Sequence, residues 1–85
     1  MSIAEIAVIL RRFSDELPVT EVVTAETALA EIIAELATTL AGTRDPDAVA
    51  VLTELRAARR VLRDAHAELV AAAGGCREYL SRLGA

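Results

Sequence analysis

Few side chains in this sequence could perform chemistry, and their spacing limits what each could do. The 85 residues include one His, one Cys, nine Arg and 13 acidic residues, with no Lys or Trp. His66 is flanked by Asp64 and Glu68 but lacks the H-x-x-x-H or E-x-x-H company that helical metal sites use. As a general base it would need a nucleophile, and Ser2, Ser14 and Ser81 lie far along the chain. Cys76 has no second thiol, and Arg77 is the only neighbour able to lower its pKa, so a small apolar packing role suits it. No Gly-rich phosphate loop and no catalytic motif occurs. The expectation is no enzyme activity, no catalytic residue, no metal, no cofactor and no small-molecule ligand.

Two charged features remain. Arg56, Arg59, Arg60 and Arg63 stand at i, i+3, i+4 and i+7, hence on one face of a helix. They could recognise phosphate or an acidic partner, or serve as counter-charge to Glu26 and Glu31 of the same chain. The overall charge of −4 favours counter-charge and argues against nucleic acid. Glu26 falls in an apolar row. Either it pairs with an Arg, or the buried face rotates at that turn; Ala25 and Ala30 favour rotation.

These residues must be positioned by helices. The chain is 54% hydrophobic and 2% aromatic, with 18 Ala and 11 Leu. Ala and Leu are strong helix formers, and the aromatic and β-branched content of a β-sandwich is missing. The hydrophobicity excludes disorder, and a lone Cys excludes a disulfide scaffold. Ser2 and Glu5 form a capping box. Apolar residues follow in steps of three and four: Ile3, Ile6, Leu10, Phe13, Leu17. Pro18 breaks the phase, and a second series runs Val19, Val22, Glu26, Leu29, Ile33, Leu36, Leu40. Gly42 suits a left-handed helix end, and Asp45-Pro46 suits a new helix start. The second arm repeats the spacing through Ala48, Val51, Leu55, Ala58, Leu62, Ala65, Leu69, Ala72, Cys76, Tyr79 and Leu83.

The predicted fold is all-α and a single domain over residues 1–85. It is an antiparallel helical hairpin with arms 3–41, kinked near Pro18, and 46–83. Folding at the turn places Phe13 over Gly74-Gly75, Glu31 against Arg56, and Glu26 against Arg59 and Arg60. A second set of apolar residues, including Val23, Ala30, Ala34, Leu52, Val61 and Val70, lies outside this seam. A lone hairpin leaves such residues exposed, which marks association. The expected assembly is a homodimeric four-helix bundle. The alternative is a three-helix bundle in which residues 3–17 fold back.

Two near-equal amphipathic arms around the turn Leu40-Ala41-Gly42-Thr43-Arg44-Asp45-Pro46-Asp47 resemble the WXG100 family of small helical hairpins. The whole stretch from that turn, Leu40 onward, through Arg77-Glu78-Tyr79-Leu80-Ser81-Arg82-Leu83 is also similar to N-terminal helical segments of actinobacterial secreted toxins. Gly42 stands where that family carries Trp-x-Gly, and position 83, four residues after Tyr79, is Leu rather than an acid. The resemblance implies a hairpin dimer exported by type VII secretion. The expected function is a non-enzymatic helical interaction or adaptor protein, partnered by itself or by another helical protein. The alternative is a structural subunit or antitoxin-like regulatory partner. No basic n-region and no 18-residue apolar run is present, so the expected location is the cytoplasm, or outside after export without a cleavable signal peptide.

Overall fold

The computed structural model describes residues 1–84 and is helical from end to end, with three segments: α1 (Ile3–Glu16), α2 (Val19–Thr39) and α3 (Pro46–Arg82). Each boundary has a local cause. The Ser2 hydroxyl accepts a hydrogen bond from the Glu5 amide at 3.1 Å and starts α1. Pro18 forces Leu17 out of the helical region, to φ −61° and ψ 129°, so α1 ends there. After α2, Gly42 adopts φ +85°, a conformation only glycine enters without strain. The Asp45 carboxylate then accepts from the Asp47 amide at 2.9 Å, and Pro46 opens α3, which runs unbroken for 37 residues. Gly74 and Gly75 neither bend it into a new element nor adopt positive φ.

α1 and α2 both pack on α3 and not on each other. The chain is a rod of 62 × 16 × 16 Å. Residues 3–17 therefore continue along α3, and the fold-back of a three-helix bundle is not adopted. The Cα radius of gyration is 19.3 Å, against about 12 Å for a compact chain of this length.

The seam of α2 is the expected one: Val19, Val22, Glu26, Leu29, Ile33, Leu36 and Leu40 are all buried or half-buried. That of α3 differs by one row. It runs Ala48, Leu52, Leu55, Arg59, Leu62, His66, Leu69, Ala73, Cys76, Leu80 and Leu83, in unbroken alternating steps of four and three. The row Ala48, Leu55, Leu62, Leu69, Cys76, Leu83 is as expected. The companion row is Leu52, Arg59, His66, Ala73, Leu80, in place of Val51, Ala58, Ala65, Ala72, Tyr79. Leu52 and Leu80 bring two large apolar side chains into the seam, and the Arg59 stem packs while its head finds the Glu26 carboxylate. On α1 the inner face is Ile6, Ala7, Leu10, Ser14 and Leu17. Ile3 and Phe13 lie outside it.

The core is thin. Ala7, Ile33, Ala73 and Leu80 are the buried apolar residues among those described, and none is fully sealed from solvent. Every other seam residue is half-exposed, as two helices alone dictate.

Candidate functional site

The charged cluster sits at the middle of the rod, where the α2 seam presents Glu26 and the α3 seam presents Arg59. The Arg59 Nε donates to Glu26 Oε1 at 2.9 Å, and the Arg63 Nε donates to the same oxygen at 3.2 Å. The Glu26 side chain is 23% exposed, so its charge is partly withdrawn from water and needs this pairing. The Arg59 hydrogen bond holds the Glu26 carboxyl below its ordinary value of 4.5; partial burial opposes this, and Arg63 reinforces it. The seam is thus not rotated at Glu26. It carries an ion pair, the reading that the neighbouring alanines had disfavoured.

The other expected pairs do not form. Glu31 is exposed and forms no salt bridge with Arg56, and Arg60 makes none with Glu26; Arg63, one turn further on, takes that place. Phe13 is 50% exposed and does not cover the glycines: the nearest atom to a side chain built at Gly74 belongs to Arg77, and Gly75 faces open space. The Phe13 ring lies instead under the Arg12 guanidinium at 5.2 Å. Tyr79, expected in the seam, is 43% exposed.

Beside the ion pair, Ile33, Arg56, Arg59, Arg60 and Arg63 line a groove of about 270 Å³. Ile33 forms its buried floor at 7% exposure. Helical spacing fixes what flanks it. Positions seven apart share a row, so Val49, Arg56, Arg63, Val70 and Arg77 form one line along α3 on the Glu26 side of the hairpin. Val51, Ala58, Ala65, Ala72 and Tyr79 form another on the opposite side of the seam. The seam is therefore flanked by two unlike rows, one in which Arg56, Arg63 and Arg77 are interspersed with exposed valines and one without charge.

The residues expected to form one association stripe divide between these faces and the seam. Val23 and Val70 are exposed on the arginine side, with half-buried Ala30 beside them. Ala34 is exposed, Val61 is 66% exposed on the back of α3, and Leu52 belongs to the seam. The row left largely uncovered, with Val51, Ala58, Ala72 and Tyr79 exposed and Ala65 half-buried, is the one expected in the seam. Its signal was present: an α3 with three adjacent rows free of acids has more apolar surface than one neighbour can cover.

The exposed area can be set against a norm. A compact 9.0 kDa monomer exposes about 4,900 Å². This chain exposes 6121 Å².

His66 and Cys76 are half-buried in the seam, and Cys76 is a free thiol. Among the described residues there is no group of three or more His, Cys, Asp or Glu able to hold a metal ion, and no helix is long and apolar enough to cross a membrane. Comparison with protein-family models, curated proteins and solved structures finds no match.

Proposed function

We propose that this protein is a non-enzymatic helical interaction module that acts by packing its exposed α3 row against another helix, in the first instance that of a second copy. One observation carries this reading: Val51, Ala58, Ala72 and Tyr79 are exposed along one line of a helix whose Leu row is only half covered. A standard interface buries about 800 Å² on each partner. The surface beyond that of a compact monomer is about 1,300 Å², enough to supply it. An Ala row against a Leu row also lets two helices approach closely, and an antiparallel pair of α3 helices offers each Leu row to the other's Ala row. Similarity to the WXG100 hairpins suggests that such a module serves as an adaptor or delivery partner in type VII secretion, located in the cytoplasm or exported without a cleavable signal.

Sedimentation equilibrium at micromolar concentration tests the self-association. The expected mass is twice the 9.0 kDa of the chain. Ala58→Glu with Ala72→Glu places charges at exposed positions, so the hairpin should keep its circular dichroism while the mass halves. A wild-type chain that stays at 9.0 kDa throughout would remove the second copy as partner.

A second reading, a subunit or antitoxin-like regulator held in a heteromeric assembly, is favoured by the arginine groove on the other face.

A further inference from the structure

The chain's own carboxylates account for only part of the arginine groove. Four guanidinium groups converge on two turns of α3, and among the described residues Glu26 is the single carboxylate that forms a salt bridge with any of them. It does so through the Nε atoms of Arg59 and Arg63, and no salt bridge forms at Arg56 or Arg60 among the described residues. Glu54, Asp64 and Glu68, the nearest acids on α3, are exposed and form no salt bridge among the described residues.

We propose that this groove docks an acidic amphipathic helix of a partner protein. Its central carboxylates sit on Arg56 and Arg60, and its apolar ends on Val49 and Val70. The proposal rests on the reading of the chain as an interaction module and names the partner's chemistry.

Charge complementarity is the first argument. Arginine offers a planar fork of donors that matches a carboxylate bidentately, and four of them against Glu26 and Asp64, which lines the adjoining groove beside Arg60 and Arg63, leave a local excess of two positive charges. The second argument is the row itself. Val49, Arg56, Arg63 and Val70 repeat every seven residues over about 32 Å, the spacing at which a facing helix presents its own side chains. Val49 is 52% exposed and Val70 46%, so open apolar contacts flank Arg56 and Arg63 on both sides, with Arg77 following Val70 in the same row.

The same observations disfavour phosphate ligands. The groove lies along the interior of α3, where backbone amides are already bonded within the helix and cannot cradle a phosphate. No aromatic ring stands near it to stack a base, since Phe13 and Tyr79 lie far along the rod. The basic track ends after two turns in a chain of net charge −4, which repels an extended polyanion.

The test is fluorescence anisotropy at low salt with a 24-residue helical peptide as probe (a length of about seven turns). It carries Leu at its ends and paired Glu at its centre, and the control peptide has Gln in place of Glu. The Glu peptide should bind at least tenfold tighter than the Gln peptide, with the difference collapsing as salt rises. Arg56→Glu with Arg60→Glu should abolish that preference with circular dichroism unchanged, and a Lys-centred peptide should restore binding to this variant. Glu26→Gln should tighten the Glu peptide a few-fold by removing the internal competitor. Equal binding of the Glu and Gln peptides, or none, overturns the proposal. So does displacement of the Glu peptide by pyrophosphate or duplex DNA at lower concentration than by unlabelled peptide. Sedimentation of the same samples reads self-association separately, so failure here is distinguishable from failure of the interaction reading.

Discussion

Glu26 shows how one side chain fixes the alignment of two helices. An apolar residue at that seam position would tolerate sliding or rotation of α2 on α3; a partly buried carboxylate tolerates neither, because any shift strands it away from Arg59 and Arg63. Its pairing makes stability depend on pH with a definite sign. The folded-state pKa lies below the ordinary value of 4.5, so the contribution is complete above that value and is lost as pH falls through the lowered one. Urea midpoints measured from pH 7 down to pH 3 should therefore decline across that acid range, and Glu26→Gln should flatten this part of the decline. At neutral pH Glu26→Gln should lower the midpoint more than Glu31→Gln, since Glu31 is exposed and has no ion pair. Equal effects would mean that the pair contributes nothing to folding.

The helices themselves were largely legible in the sequence. Caps, the proline break and the glycine turn each depend on a residue and its immediate neighbours, and Ser2, Pro18, Gly42 and Asp45 all act as their types dictate. The faces were less legible. On α2 the apolar row and the buried row coincide. On α3 a fully apolar row, Val51 to Tyr79, competes with one containing Arg59 and His66, and apolarity alone selects the former. The choice is settled by a partner 33 residues away in sequence, Glu26, together with the area buried by Leu52 and Leu80. The same limit hid the groove, since four arginines that look neutralised by nearby acids prove to have one salt-bridged carboxylate between them among the described residues. Two glycines separate backbone effects from packing at this level. Gly42→Ala should destabilise the chain by about 1 kcal/mol, because φ +85° strains any other residue. Gly75→Ala should stabilise it by about 0.5–1 kcal/mol, because the site is helical and open. Denaturant melts of both variants check the opposite signs.

Taken whole, the rod has length without depth. A 16 Å cross-section accommodates two helices and no enclosed interior, so each buried residue carries a large share of what holds the arms together. Leu80→Ala should cost about 2–3 kcal/mol, toward the lower end for a buried Leu because the cavity it leaves is open to solvent. If a second copy covers the Ala row, the thermal midpoint of the wild type should also rise with protein concentration, and that of the Ala58→Glu, Ala72→Glu chain should not.

The six-residue turn between Thr39 and Pro46 has a kinetic consequence. It joins arms whose facing residues are close in sequence next to Gly42 and some seventy residues apart at the open end, where Ala7 and Leu80 lie. Closing a short loop loses less chain entropy than closing a long one, so the arms should zip from the turn outward, each ordered layer shortening the search for the next. In stopped-flow measurements, Gly42→Ala should then slow folding, whereas Leu80→Ala should leave folding nearly unchanged and speed unfolding. The end last to close would be the first to reopen.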